Sequence, residues 1–254
     1  MPNSAPSLEA YKHLRRSSPA PVSLYERPQS AISSGAVSDV IDWLGRAIAS
    51  GHFSLNATLP MENQLGEQVG VSRTVIREAV KILTAKGIVK TARRYGTVVN
   101  PLSDWNLLDA DVIGWHGRED EYTPLIYREL IELLSIMLPQ AVTGALNRIP
   151  AQPSPQSVLA LASLQNHKAE RSQRIKAEFS IWAQLLDTPN SNIFAQFKAL
   201  TYELVRFTYA LKDHHYSVDD LYADLLRHVD QGNAEEANLA CRLIIKRSRN
   251  LNGR

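Results

Sequence analysis

The stretch GVSRTVIREAVKIL, residues 70 to 83, carries the pattern that decides the fold of this chain. Its apolar residues recur at helical spacing and form one stripe: Val75, Ile76, Ala79, Val80 and Leu83. Ser72 is a suitable N-cap in front of the stripe, and Gly87 is expected to end the helix. A row of cations at four-residue spacing shares another face of the same helix: Arg73, Arg77 and Lys81.

The positive charge of the chain is concentrated around this helix. The formal net charge of all 254 residues is only +2. Within residues 71 to 100, however, seven basic residues face a single acidic one. Such a local excess is what a polyanionic partner requires. A solvated charged helix face would explain the charge equally well, so charge alone does not decide between the two readings.

The helices on either side of Gly70 meet the requirements of a helix-turn-helix. A short helix is predicted over residues 61 to 69, after Pro60, where Gly66 would allow a close crossing and Gly70 would take the positive φ of the turn. Another amphipathic helix precedes it and ends near Gly51. The helix after Ser72 would then place its N-terminal half in the major groove of DNA.

A basic β-hairpin is predicted directly after this helix, because two β-branched runs flank residues 93 to 96. Such a hairpin would act as a wing that reaches the minor groove or the phosphates. We expect nine residues to contact DNA through base edges or phosphates: Asn63, Ser72, Arg73, Thr74, Arg77, Arg93, Arg94, Tyr95 and Gly96.

The pattern after Pro101 is helical throughout. Helices are predicted at about 122 to 148, 156 to 171, 172 to 187, 190 to 212, 217 to 231 and 233 to 252, and their short connections favour an antiparallel bundle. The predicted fold class is mainly α, with an N-terminal winged helix-turn-helix and a C-terminal all-α antiparallel helical bundle. The expected divisions are a flexible tail (1–32), the DNA-binding domain (33–100), a linker helix (101–121) and the helical domain (122–254).

The segment LPMENQLGEQVGVSRTVIREAVKILTAKGIVKTARRYGTVV, residues 59 to 99, resembles the DNA-binding domain of GntR-type bacterial transcription regulators. The family often has an arginine where Asn63 stands, and asparagine keeps hydrogen-bonding capacity without the charge. The recognised DNA site is therefore expected to differ. The helical remainder, preceded by DWNLLDADVIGW at residues 104 to 115, is similar to the FadR branch, and that phrase resembles members that respond to sugar acids such as galactonate.

By this resemblance the helical domain would bind a small-molecule effector and form the dimer. Many members hold a metal there through an Asp, a His four residues later and two further His. The matching positions here are Lys176, Ser180, Tyr222 and Ile244, so the resemblance implies that the metal site is lost and that no cofactor is bound. A Lys in that place can supply charge to an anionic effector, or it can simply point to solvent.

Five residues are candidates for effector binding: Arg128, Lys176, Ser180, Arg206 and Tyr222. A family arginine that is often near the effector corresponds to Leu134, so the pocket cannot be transferred whole. Arg128 and Arg206 have aromatic neighbours in the sequence, and packing between helices explains them as readily.

The sequence predicts a ligand-responsive repressor that binds a palindromic operator as a homodimer and is released by a small anionic metabolite. Acyl-coenzyme A sensing is the alternative within this class. A helical small-molecule enzyme with an N-terminal docking module is the alternative outside it. No GxSxG, phosphate loop, CxxC or HExxH pattern is present, so no catalytic residue is assigned.

The remaining features favour a cytoplasmic protein without a membrane partner. The single cysteine, Cys241, cannot form an internal disulfide, and the first thirty residues lack a signal-peptide core. No apolar run approaches the ~20 residues of a membrane span. Weak alternative metal ligands are Asp213 with His214 and His215, or the set Asp109, Asp111 and His116.

Overall fold

The computed structural model describes residues 35–117, 120, 122–147, 155–166, 168–187, 192–211 and 219–249. Within these residues the chain forms two compact units that follow one another in sequence, with Thr123 in the first and Pro124 in the second. We call them the head and the helical unit. The predictions for the tail and for Asp213, His214 and His215 fall outside the described residues.

The head is a winged helix-turn-helix, as predicted. Its elements, in order, are α1 (Ala36–Ala49), α2 (Glu62–Val69), α3 (Arg73–Ala85), β1 (Val89–Ala92) and β2 (Gly96–Val99). The two strands pair antiparallel from Val89 opposite Val99 to Ala92 opposite Gly96. An isolated bridge between Thr58 and Val98 places the segment before α2 alongside β2.

The core of the head lies between α1, α2 and α3, because all three helices direct an apolar face inward. Leu65 on α2 and Ile76 on α3 are buried, and Val71 in the turn is half-buried against the same cluster. Leu44 on α1 and Ile88 before β1 complete the core with no exposed surface.

The turn between α2 and α3 depends on two glycines. Gly70 has φ 70°, a left-handed conformation that glycine adopts without steric cost. A Cβ atom on Gly66 would lie 2.8 Å from the carbonyl oxygen of Val71, so only glycine allows this close approach. Both glycine roles predicted from the sequence are therefore confirmed.

The segment from residue 101 to 117 differs from the single linker helix that the sequence predicts. It contains a 3-10 turn at Leu102–Asp104 and a five-residue helix, α4 (Ala110–Gly114). The side chain of Asp109 caps α4 by accepting a hydrogen bond from the Asp111 amide at 2.9 Å. The segment packs on the head: Trp115 donates to Asp42 at 3.1 Å, and a Cβ on Gly45 would lie 2.4 Å from the Trp115 ring.

The helical unit contains seven α-helices within its described residues: α5 (Thr123–Leu146), α6 (Pro155–Gln165), α7 (Arg171–Leu186), α8 (Asn192–Gln196), α9 (Lys198–Leu211), α10 (Asp219–Asp230) and α11 (Ala234–Arg249). The helix predicted over 190 to 212 is two helices, α8 and α9. Helices α5 and α11 lie antiparallel, because Tyr127 bonds to Ser248 near one end and Thr143 to Asn238 near the other.

Helix α5 is the one helix among the described residues that is long and apolar enough, by length and composition alone, to cross a membrane. It is not an uninterrupted apolar run, since Arg128, Glu129 and Glu132 lie within it. Half of its apolar window is buried inside the protein. Tyr127, Leu134 and Val142 are fully buried along it, whereas Ile136 is 73% exposed. Its composition is thus that of a helix which contributes several sides to a protein core.

Candidate nucleic-acid interface and buried polar interior

All nine residues predicted to contact DNA are exposed and belong to the head. One lies in the first turn of α2, four lie at or after the start of α3, and four form the tip of the hairpin: Asn63; Ser72, Arg73, Thr74 and Arg77; Arg93, Arg94, Tyr95 and Gly96. A helix N-terminus beside a basic loop can donate hydrogen bonds both to phosphates and to base edges.

The start of α3 is fixed by its cap. The hydroxyl of Ser72 accepts a hydrogen bond from the Val75 amide at 3.4 Å, which confirms the predicted N-cap. The guanidinium of Arg73, which follows, donates from Nε to the carboxylate of Glu62 at 2.9 Å. The side chain of Arg73 is 67% exposed, so the rest of its guanidinium faces solvent.

The row of cations on α3 is only partly balanced by acids. Lys81 pairs with Glu78, one turn earlier, at 2.7 Å, and both side chains are largely exposed. Arg77 is exposed on the same helix. The row predicted from the sequence therefore lies on the surface, with an acidic partner near each end.

The wing tip is strained where it is most basic. Arg94 has φ 74°, a left-handed conformation that costs a residue with a Cβ on the order of 1 to 2 kcal/mol. Gly96 has φ 78°, and no atom lies within 4 Å of the position of its Cβ, so its role is conformational. Tyr95 is 72% exposed between them. The hairpin thus projects three large polar side chains into solvent.

Lys86 belongs to the basic window of the sequence but not to its exposed surface. Its side chain is 11% exposed, and its ammonium donates to Asp109 and, at 3.0 Å, to Asp111. The outward positive field of the head is therefore smaller than the residue count suggests. Asp109 and Asp111, weak metal candidates by sequence, serve as partners of this lysine, and His116 is buried beside Trp105 with 5.9 Å between ring centroids.

The interior of the helical unit holds a hydrogen-bonded group around Tyr222, which we call the Tyr222 cluster: Tyr222, Trp182 and Glu178. The Tyr222 hydroxyl accepts from Trp182 Nε1 at 2.5 Å and donates to the Glu178 carboxylate at 2.8 Å. All three are at most 2% exposed. Glu178 and Trp182 are four residues apart, so they share the face of α7 that meets α10.

The five effector candidates are not brought together by the contacts that they make. The Ser180 hydroxyl donates to the Lys176 carbonyl at 2.7 Å within α7, and Arg128 is exposed. Arg206 pairs with the buried Glu203 and lies 4.5 Å from the centroid of the Phe207 ring. Of the five, Tyr222 alone belongs to the Tyr222 cluster.

Sequence reasoning missed Glu178 and Trp182. The four-residue spacing of Glu178 and Trp182 is visible in the sequence, but Lys176 and Ser180 on α7 have the same spacing. The sequence alone therefore does not show which of these pairs faces α10.

Two buried groups of this unit have strongly raised pKa values. The pKa of Tyr127 is raised to about 12, mainly by burial; the hydrogen bond with Thr208 opposes this rise, and the charge of Glu178 adds to it. That bond is 2.9 Å long. Burial also raises the pKa of the Cys241 thiol to about 12, against the opposing charge of Arg242. Both groups are therefore neutral near pH 7.

The donor set of the Tyr222 cluster does not suit a divalent metal. It offers one carboxylate, Glu178, while the indole nitrogen of Trp182 is a donor only. Ile244, at the fourth position that the resemblance indicates, is buried and apolar. Among the described residues, no group of three His, Cys, Asp or Glu side chains lies close enough together to hold an ion.

Comparison with known proteins identifies relatives of the head and of the chain as a whole. Residues 36–99 match the model of a family described as bacterial regulatory proteins, gntR family. The uncharacterised HTH-type transcriptional regulator YieP of Escherichia coli is 29% identical over 207 residues, which are 80% of this chain and 89% of that protein. The galactonate operon transcriptional repressor of the same organism is 25% identical over 213 residues, 79% of this chain and 90% of that protein.

A solved structure shows a related fold across both units. The regulator Lar, which controls expression of the Listeria monocytogenes agr system, matches 87% of this chain and 98% of its own with a TM-score of 0.55. The identity is 17%, so this likeness concerns the fold alone.

Proposed function

This chain belongs to the gntR family of bacterial regulatory proteins and is a DNA-binding transcription regulator, and on that premise we propose that it is a repressor released by a small anionic metabolite. The observation that carries the DNA-reading part of the proposal is the head itself. Its residues match the family over 36–99, and the nine candidate DNA contacts are all exposed on it. The reader helix α3 would lie in the major groove, with the wing on the neighbouring backbone or minor groove.

A homodimer is part of this proposal, because two reader helices that bind successive major grooves require a palindromic site with half-sites one turn, ~34 Å, or multiples of it apart. The helical unit offers a surface for the second copy. Leu239 and Leu243 lie one turn apart on α11 and are 51% and 42% exposed, and Ile136 is 73% exposed on the adjacent α5. Within one chain the acidic Glu132 on α5 and the basic Arg249 on α11 lie 4.0 Å apart, and both side chains are largely exposed, so the same charges are available to a second copy in this proposal.

A sugar acid such as galactonate is the effector class we propose, because one relative is named a galactonate operon repressor. The Tyr222 cluster supports a hydroxyl-rich ligand, since the carboxylate of Glu178 accepts hydrogen bonds from hydroxyl groups. We propose that the ligand's own carboxylate binds a cation of the unit, with Lys176 and Arg206 as separate candidates; of these, Arg206 is already paired with Glu203. No resident metal or other cofactor belongs to the proposal, and the site of action is the cytoplasm.

Release follows from differential binding. An effector relieves repression only if it prefers the state that does not bind DNA. A typical coupling free energy of 1 to 3 kcal/mol would lower operator affinity by roughly 5 to 150-fold. A titration of the operator-bound protein separates the two effector classes. Galactonate, an acyl-coenzyme A or buffer is added to the protein on its labelled operator, and release of the DNA is measured. Release by the sugar acid alone supports the proposal, and release by the thioester alone would replace it with acyl-coenzyme A sensing.

The enzyme alternative makes a different prediction. A helical enzyme with a docking module would turn over a sugar acid or an acyl thioester. Incubation with these compounds, followed by mass spectrometry, should leave them unchanged while calorimetry shows saturable binding. Product formation that is lost with a Tyr222→Phe variant would contradict the assignment as a regulator.

A further inference from the structure

An acidic residue lies on the face of the head that the proposed function turns toward DNA. Glu62, the first residue of α2, accepts the hydrogen bond from Arg73 Nε, the first residue of α3, at 2.9 Å. Glu62 keeps 28% of its side-chain surface exposed, and Arg73 keeps 67%. The ion pair therefore joins the two helices of the helix-turn-helix at the point where the reader helix begins.

Folding does not explain this pair well. Exposed ion pairs contribute little to stability, because water screens the charges and both side chains lose conformational freedom. A carboxylate close to phosphates also opposes DNA binding through simple repulsion. Glu62 does gain a modest interaction with the dipole of α2, whose first residue it is, but that gain does not depend on Arg73. The contact with Arg73 itself therefore needs another explanation at this position.

The geometry points to that role. An arginine that reads guanine uses two parallel N–H groups on O6 and N7, so the plane of its guanidinium must be set correctly. Arg73 has five N–H donors, and the Nε–H is the one that Glu62 engages. The four N–H groups on the two terminal nitrogens stay available to a base. Binding the inner nitrogen also restricts rotation of the guanidinium before DNA arrives, which reduces the entropy lost on binding.

We infer that Glu62 is a positioning residue that aims Arg73 at one operator base and so sets sequence specificity rather than affinity. The inference rests on the proposed DNA-reading function. It assigns Glu62 a contact with Arg73 and none with DNA. Removing Glu62 should therefore raise affinity for random DNA, because a negative charge is lost, while it lowers the preference for the operator.

Two charge-matched variants test the inference. Glu62→Ala and Glu62→Gln both remove the charge, but only glutamine keeps an oxygen that can accept the hydrogen bond from Arg73. Operator and random duplexes of equal length are titrated by fluorescence anisotropy at several salt concentrations. We expect the ratio of operator affinity to random-DNA affinity to fall on the order of tenfold for Glu62→Ala and distinctly less for Glu62→Gln.

Glu78→Ala is the matched control, because it removes an acid from the reader helix that pairs with Lys81 rather than with Arg73. It should raise both affinities and leave their ratio unchanged. A library randomised at each operator position adds a second readout: Glu62→Ala and Arg73→Ala should relax the preference at the same base pair. In the Arg73→Ala background, Glu62→Ala should no longer change the ratio, because the two residues act through one contact.

The positioning role would be overturned if the wild type had a high ratio of operator affinity to random-DNA affinity and Glu62→Ala, Glu62→Gln and Glu78→Ala all had the same ratio as one another. Glu62 would then be a source of repulsion only. The same holds if Glu62→Ala lowers the ratio in the Arg73→Ala background as much as in the wild type. A wild-type ratio near one would overturn the regulator proposal itself, and this inference with it. Urea denaturation of each variant confirms that the compared proteins are folded.

Discussion

The head and the helical unit place their polar side chains in opposite ways. In the head the nine candidate DNA contacts are all exposed, on α2, α3 and the wing. In the helical unit the distinctive polar groups are buried, among them Tyr222, Glu178 and Tyr127. An exposed side chain owes its place mainly to its own helix, whereas a buried polar group requires a partner from another segment. The head can therefore be assigned from local sequence, and the interior of the helical unit cannot.

Lys86 is the strongest exception to the rule that polar groups of the head are exposed, because it forms a buried ion pair with Asp109 and Asp111. Its removal by Lys86→Ala would leave two carboxylates, Asp109 and Asp111, without their cation in a site that is largely closed to water. We expect the free energy of unfolding to fall by about 3 to 5 kcal/mol, as for other broken buried pairs. The measurement is urea denaturation of the full chain.

Lys90→Ala is the matched control for this change, since Lys90 is an exposed lysine on β1. Its effect should stay within about 0.5 kcal/mol. If the two variants lost the same small amount of stability, the ion pair of Lys86 would contribute little to the stability of the head. Lys86 would then not be an exception to the contrast between the head and the helical unit.

Alkaline pH should act on the buried interior of the helical unit. The pKa of Tyr127 rises from 10.0 to about 12 on folding, so the folded state holds its proton more tightly than the unfolded state. Stability is thus fully present below pH 10 and falls between pH 10 and about 12, by up to about 2 to 3 kcal/mol. Burial likewise raises the pKa of Cys241 from 9.0 to about 12, so this thiol also makes stability fall as the pH rises above 9.0.

The variant Tyr127→Phe removes one titrating group and should flatten the fall of stability across this pH range. Urea denaturation at intervals from pH 8 to 11 measures the slope. Tyr95→Phe, at the exposed wing tip, is the control and should keep the wild-type slope. A slope that is identical in all three proteins would show that Tyr127 does not titrate differently on folding.

The Tyr222 cluster should contribute to stability without taking part in DNA binding. In Tyr222→Phe, Trp182 loses the acceptor at 2.5 Å and Glu178 loses the donor at 2.8 Å. We expect a loss of about 1 to 3 kcal/mol in the free energy of unfolding, since buried polar groups are left without that partner. Operator affinity without effector should match that of the wild type, whereas an equal loss of affinity would contradict the separation of roles.

The smallest expected effect concerns the strained wing tip. Arg94→Gly removes the Cβ that makes φ 74° unfavourable, so stability should rise by about 1 kcal/mol. Affinity for DNA should fall at the same time, because one cation is lost from the tip. A gain in stability with unchanged affinity would show that Arg94 does not approach DNA, and a loss of stability would contradict the strain.

The sequence predicted the head in detail because its signals are local. Gly70, Ser72 and the stripe on α3 each specify structure within a few residues, and the positive φ of Gly70 and the cap of Ser72 are both confirmed. Long-range partners were missed. Lys86 and its carboxylates lie 23 and 25 residues apart in sequence, and no local pattern records such a pairing.

The helical unit shows the same limit. Its helices were predicted closely, apart from the division between α8 and α9. The pairing of α7 with α10 was not. A helix with apolar residues on several sides does not reveal which side meets Tyr222, so the choice between Lys176 with Ser180 and Glu178 with Trp182 required the structure.

The most direct test of the proposed function is whether α3 reads DNA sequence. Wild-type protein and a variant carrying both Arg73→Ala and Arg77→Ala are mixed with fragmented genomic DNA from the source organism, and the retained fragments are sequenced. The wild type alone should enrich a palindromic site, and the variant should retain DNA without sequence preference. Two similar profiles without an enriched site would contradict the DNA-reading function of α3, and the helical unit would then be the place to look for function.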